Sequence, residues 1–98
     1  MAQLTVIANI TVNKGAQEDI LPAFARLIKA TRSEVGCIRY DLHQNNSDAN
    51  QFCFYEVWDT KDNLQDHSVS AHVQTFQRDT ANMIKSVTLT ELTMIDLN

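Results

Sequence analysis

Two histidines on one helical stretch, a carboxylate and an indole closing one strand, and an amide inside an apolar run are the side chains here whose types could do chemistry. Glu56 and Trp58 stand two apart in YEVW, so on a strand they share a face. A half-buried carboxylate there must find a cation or a donor, or serve a function. His67 and His72 follow in the next segment. Imidazole is the side chain that gives and takes a proton near neutral pH. A spacing of five separates the two rings by about 140° on a regular helix, so they share no face there. A chelating pair on a helix wants a spacing of four, so the pattern does not point to zinc. A chain break near Ser68 would change this and let both rings lean toward one opening. Asn9 interrupts an apolar strand, where an amide must find partners. Each of these residues also has a purely structural reading: an ion-paired Glu56, a core Trp58, packed histidines, and an Asn9 bonded across the sheet.

Other chemistries lack their residues. There is no glycine-rich phosphate loop and no Ser-His-Asp order with supporting context. Cys37 and Cys53 are the two cysteines, neither in a CxxC pair. The expectation is two free thiols packed in strands, offset along a hairpin too far for a disulfide. What remains is an apolar, aromatic-lined cavity between sheet and helices. Asn9, Tyr40, Glu56, His67 and His72 are its polar groups, with Phe76 and Trp58 among its aromatic ones. That describes a site for a small, flat organic ligand.

The elements that must position these groups follow from periodicity. Leu4, Val6, Ala8, Ile10 and Val12 alternate within a strand over Gln3–Val12. Ile20, Phe24, Leu27, Ile28, Thr31 and Val35 fall on one helical stripe, and Gly36 stands where a left-handed cap is usual. Cys37–Gln44 predicts a second strand, with Ile38, Tyr40 and Leu42 on one face. Asn45–Asn50 is turn chemistry, and Gln51–Trp58 a third strand, rich in aromatics. Asp59 or Thr60 caps a helical segment running to about Met83, with Val69, Val73, Phe76, Thr80 and Met83 in helical register. Ser68 and Ser70 favour caps over helix interiors and divide it. Ser86–Leu97 is the last strand. The order β-α-β-β-α-β predicts an α+β, ferredoxin-like domain with a four-stranded antiparallel sheet.

At 98 residues this is a single domain over 1–98. Such a chain buries only roughly 60–65% of its unfolded surface, so association is a common remedy. The net charge is −4 with no basic run, which leaves nucleic-acid binding without an electrostatic footprint. No apolar run approaches a membrane span, and MAQLTVIANITV alternates like a strand rather than a leader. A cytoplasmic location is expected. The strands carry apolar residues on both sides: Phe52, Phe54 and Trp58 against Cys53, Tyr55 and Val57, and Val87, Leu89 and Ile95 against Leu92 and Met94. One helical layer covers only one side, so a second copy packing sheet to sheet is expected.

The opening VIANITVNKG, the segment EVGCIRYDLHQN, the block YEVW, and His67 nine residues after Trp58 with His72 five later together resemble the antibiotic biosynthesis monooxygenase family over nearly the whole chain. The resemblance implies a homodimeric α+β barrel. It implies monooxygenation of electron-rich hydroquinones or anthrones with no flavin, haem or metal, the deprotonated substrate itself passing an electron to dioxygen. By position, Asn9 would orient a substrate oxygen, Trp58 form an aromatic wall, and His67 and His72 serve in proton transfer; the cavity read from the residues themselves adds Tyr40, Glu56 and Phe76 at the substrate. Haem-degrading members carry an iron-ligating His where Gln77 stands, which argues against that activity. Members resembling isomerases of small phosphorylated sugars or diketones share the Glu and both His. An isomerase on a small carbonyl compound and a non-catalytic ligand-binding dimer therefore stay open. Cations in the pocket would favour the isomerase, and Arg39 is the strand cation to follow.

Overall fold

The computed structural model describes residues 3–98. Met1 and Ala2, with which the expected domain and the leader reading begin, lie outside the described residues. The chain forms β1 (Leu4–Val12), α1 (Leu21–Thr31), β2 (Cys37–Asn45), β3 (Asp48–Trp58), α2 (Lys61–Ser68), α3 (Ala71–Asp79) and β4 (Ile84–Thr93). The sheet order is β2-β3-β1-β4, with every neighbouring pair antiparallel. This is the ferredoxin-like arrangement, with the second helical element in two pieces. The break falls where serine chemistry competes with the helix. Ser68 Oγ donates back to the Leu64 carbonyl, and Ser70 caps α3 by accepting from the Val73 N–H. Thr60 caps α2 by accepting from the Asn63 N–H.

The strict alternation of β1 turns Val6, Ala8, Ile10 and Val12 toward the helices. Phe52 and Phe54 join them from β3, and Ile20, Phe24 and Leu27 close the core from α1 and the turn before it. The Phe24 ring lies 5.1 Å from Phe52, 5.5 Å from Phe54 and 5.5 Å from Phe76. One aromatic cluster therefore joins sheet, α1 and α3.

Several boundaries differ from the sequence expectation, each for a local reason. The α1 stripe ends at Thr31, and Val35 is 84% exposed. The guanidinium of Arg32, just past the helix, donates to the Tyr40 carbonyl at 3.0 Å, which accompanies the turn of the chain toward β2. Gly36 takes φ +82 at the entry to β2. Cys37 pairs with Trp58 and Arg39 with Val57, so Ile38 sits in a bulge and is exposed rather than beside Tyr40. The Asn45–Asn50 loop shrinks to Asn46 and Ser47. Asn45 accepts from the Ser47 N–H and donates to Gln51, an Asx turn that tightens the hairpin.

The helices cover β2, β3 and β1 but stop short of β4. Val87 and Leu89 share the helix side with Ile10 and Ala8, yet are 50% and 68% exposed. The opposite sheet face is mixed rather than apolar throughout. β3 sets Cys53 and Tyr55 there, whereas β1 and β4 contribute Thr5, Asn9, Thr11, Thr88 and Thr90. Met94, Ile95 and Leu97 lie beyond the end of β4 and are exposed. Among the described residues no helix is long and apolar enough to cross a membrane.

Candidate active site

Register places the first acid–base group. Tyr40, Glu56 and Val6 lie side by side across β2, β3 and β1 on the helix side. Glu56 is buried, and the Trp58 Nε1–H donates to its Oε1 at 2.9 Å. Burial pushes the Glu56 carboxyl up to about 7, against the pull of the Trp58 hydrogen bond, and the negative charge of Glu34 adds to the rise. Glu56 therefore exchanges its proton near neutrality. Tyr40 stacks on Phe54 with centroids 4.6 Å apart. Burial, and secondarily the Glu56 charge, hold its hydroxyl far above the ordinary phenol range, so it stays a neutral donor.

His67, near the end of α2, is the second group. Its Nδ1 meets Glu34 Oε2 at 2.6 Å, and its ring packs 4.7 Å from Trp58 and edge-on to Tyr40 at 5.4 Å. Burial lowers its pKa, and the Glu34 carboxylate opposes that drop. A carboxylate on Nδ1 selects the neutral tautomer protonated there, which leaves Nε2 bare; the assignment follows from the hydrogen bond. Glu34 reaches His67 from the turn after α1. The Asp59 N–H donates to the Gly36 carbonyl at 2.8 Å, which ties this turn to the start of α2. A Cβ at Gly36 would collide with the Asn63 side chain, and its φ of +82 suits glycine alone. His72 Nε2 lies 3.2 Å from the same Glu34 oxygen, with its ring centroid 6.0 Å from that of His67. The distance is right but the direction is poor, and this buried nitrogen has no aligned hydrogen bond.

A cavity of about 210 Å³ opens between the sheet and the helices. Ala8, Leu27, Phe54, Leu64, Val73 and Phe76 give it apolar walls. Glu56, His67, Ser68 and Gln77 are its polar residues, Tyr40 also lines it, and among the described residues no Lys or Arg does. The mouth faces the uncovered part of β4, where Val87 and Leu89 form the rim.

Four of the seven residues expected at the site line this cavity: Tyr40, Glu56, His67 and Phe76. The other three do not. Asn9 sits on the opposite sheet face, exposed, paired with Cys53 and Thr88 and beside His43. Period two decides this, since the alternation that buries Ala8 and Ile10 turns Asn9 away. Trp58 is 0% exposed and makes no wall; it anchors Glu56 and backs His67. His72 lines a separate groove between α1 and α3 with Ala30 and Thr75. The helix break does bring the two imidazoles together, but on Glu34 rather than in the cavity. Glu34 itself was not anticipated, because the expected helix ran through it to Val35; its place two before Gly36 is the one local hint of a turn. Arg39 points away from the site, paired with Asp41 at 2.8 Å and lying over Tyr55. Cys37 and Cys53 are free, at hairpin positions opposite Trp58 and His43.

Fold and site together define a small ferredoxin-like α+β domain whose helix-side cavity carries two proton-exchanging groups in an apolar lining. The chain belongs to the antibiotic biosynthesis monooxygenase family, whose profile matches residues 3–79. Protein PA3566 of Pseudomonas aeruginosa is 30% identical, with a TM-score of 0.92 over 98% of this chain and 97% of that one. A crystal structure named antibiotic biosynthesis monooxygenase is 26% identical, with a TM-score of 0.88 over 95% of this chain and 99% of that one. Rv0793 of Mycobacterium tuberculosis, at 23% identity, shares the fold with a TM-score of 0.88 over 97% of each chain. The uncharacterized protein sll1783 of Synechocystis is 30% identical over 73 residues, 74% of this chain; the chain spans 50% of that relative's length.

Proposed function

We propose that this chain is a cofactor-independent monooxygenase acting on a small, uncharged, electron-rich hydroquinone. The observation that carries the reading is the cavity lining: apolar and aromatic walls, two proton-exchanging groups, and no cation. A phosphorylated substrate would leave its charge unpaired there. A volume of about 210 Å³ falls below the roughly 300 Å³ at which drug-sized pockets begin. One or two fused rings fit better than three, so a naphthalene hydroquinone is preferred over an anthrone.

His67 takes the phenolic proton through Nε2, with Glu34 on Nδ1 stabilising the imidazolium that forms. The resulting phenolate passes one electron to dioxygen, and the superoxide so formed joins the ring carbon as a peroxide. The imidazolium protonates the peroxide; protonated Glu56 then lends a proton to the departing hydroxyl as the O–O bond breaks, and the ring C–H at the same carbon breaks in that step and returns its proton to Glu56. One oxygen stays on the substrate, and the other leaves as water. Hydroquinone and O₂ thus give hydroxyquinone and H₂O, with no further co-reactant. The dry walls protect the anion and the radical pair from bulk water.

The pairing of Glu56 with His67 also suits a proton shuttle between neighbouring carbons of an uncharged carbonyl compound, and this is the second reading. Oxygen uptake with a panel of one- and two-ring hydroquinones, without added metal or flavin, separates the two. Uptake with the product gaining one oxygen atom supports the first. No uptake with any member, together with proton exchange into a small diketone, replaces it. A homodimer is part of the same proposal. A second copy on the open sheet face would cover Ile7, Tyr55 and the exposed Leu92. Such a contact should bury over roughly 1,000 Å². Sedimentation as a stable monomer at micromolar concentration would rule it out.

A further inference from the structure

We propose that Glu34, His67 and His72 form a binding site for one divalent transition-metal ion of the zinc class. Its occupancy would fix His67 in a form that cannot act as a base; that consequence rests on the role proposed above for His67, whereas the site itself does not. The three ligating atoms come from three places: the turn after α1, the end of α2 and the start of α3. All lie within 4.8 Å of one another. Around tetrahedral zinc, with bonds of roughly 2.0–2.2 Å, ligand atoms stand about 3.3 Å apart. The Glu34–His72 distance of 3.2 Å already matches that. The Glu34–His67 contact at 2.6 Å is a hydrogen bond, and replacing its proton by an ion needs an opening of under about 1 Å.

The spacing of five that speaks against chelation applies to a continuous helix. Here the chain breaks between Ser68 and Ala71, so the two imidazoles approach one carboxylate from different helices. Two imidazoles and a carboxylate are a donor set that zinc and its neighbours favour. The side chains of Glu34, His67 and His72 are 16%, 9% and 26% exposed. The site is thus largely dry, with access on the His72 side for the ion and for a fourth ligand. The buried His72 Nε2, which has no aligned hydrogen-bond partner, is the atom an ion would satisfy.

An ion on His67 Nδ1 forces the neutral ring to carry its proton on Nε2, toward the cavity. That nitrogen then donates and cannot accept. Metal binding therefore competes with base chemistry instead of assisting it.

The test uses tag-free, full-length protein freed of metal with a chelator. Zn²⁺ is titrated by calorimetry, with imidazole ¹⁵N resonances followed in parallel. One ion per chain is expected, with each ring fixed in one tautomer: His67 protonated on Nε2 and His72 on Nδ1. His43, exposed on the far sheet face, serves as the internal control and should not move. Glu34→Gln and His72→Ala should each weaken Zn²⁺ affinity at least 10- to 100-fold, the loss typical of even outer contacts at a metal. His72 is half-exposed, so His72→Ala decides the matter if Glu34→Gln does not fold. No saturable Zn²⁺ binding, or binding that shifts only His43 or survives both substitutions, overturns the site. With a hydroquinone that supports oxygen uptake, Zn²⁺ should inhibit and chelator should restore. Uninhibited uptake at saturating Zn²⁺ would overturn the consequence for His67, while absence of any substrate leaves the binding result to decide the site.

Discussion

Replacing Glu56 by Gln weighs the acidic half of the cavity without changing its shape. The amide keeps the volume, and its Oε1 still accepts the Trp58 Nε1–H that now sits 2.9 Å from the carboxylate. In the parent, burial raises this carboxyl from 4.5 to about 7. The sign follows from proton counting. Between pH 4.5 and about 7 the folded chain holds a proton that the unfolded chain has released. Stability from this group is therefore full below 4.5 and is lost as pH rises through the folded value. At 1.36 kcal/mol per pH unit, the full displacement is worth roughly 3 kcal/mol, most of which falls between pH 4.5 and 8. Gln carries no such penalty. Urea unfolding of both proteins at pH 4.5 and pH 8 should show the variant gaining on the parent by about 2–3 kcal/mol across that interval. His67, whose pKa burial depresses, acts in the opposite sense, costing stability as pH falls below its ordinary 6.5. It is common to both proteins and cancels in the difference. A gap that stays constant from pH 4.5 to 8, or that narrows, would mean Glu56 ionises like an exposed carboxylate, and the acid role assigned to it would fail.

Four further outcomes are expected. His67→Ala should lower oxygen uptake by roughly 10²–10⁴-fold, the usual cost of a lost general base, and His72→Ala by at least tenfold less, measured on the same hydroquinone; equal losses would return His72 to the cavity chemistry. Trp58→Phe removes a donor that pulls the Glu56 pKa down, so the Glu56-dependent midpoint in the pH–rate profile should move alkaline. Gly36→Ala should destabilise by about 1–3 kcal/mol, since the backbone is left-handed and the Asn63 side chain occupies the space, and a spectrum of His67 should show it released from Glu34. Thiol titration of unreduced protein in denaturant should find both Cys37 and Cys53 free.

What was legible in the sequence is what short-range periodicity controls. The β1 alternation gave its buried face correctly, and the serines at 68 and 70 marked the helix break because capping is a local preference. The same alternation places Asn9 opposite the cavity, against the role that resemblance gave it. The end of α1 was not legible, because the chain's departure at Arg32 involves a bond to the Tyr40 carbonyl, supplied by another element. The bulge at Ile38 is likewise a matter between two strands. Glu34 combines both difficulties. Its partners lie 33 and 38 positions later in the chain, and nothing in its own neighbourhood tells whether a turn carries it toward α2 or into solvent.

The two titratable groups of the cavity share one construction, and it explains why only part of the motif lines the cavity. Each is held by a residue that does not line the cavity: Glu56 by the Trp58 indole, His67 by the Glu34 carboxylate. A motif of polar and aromatic residues at fixed spacing does not distinguish the group that meets substrate from the group that tunes it, because both must be polar or aromatic and both must be near. Burial and hydrogen-bond direction make that distinction here. They also separate the effects expected of each class. Loss of a lining group such as His67 removes a step, so the rate falls at every pH. Loss of a holding group such as Trp58 leaves the step but moves the pH at which its proton is available. No Lys or Arg among the described residues lines the cavity, so on the proposed reading the charge developing on a substrate oxygen is met by the imidazolium of His67. Substrate binding should therefore follow ring size and apolar fit, and turnover should follow the protonation of His67 and Glu56.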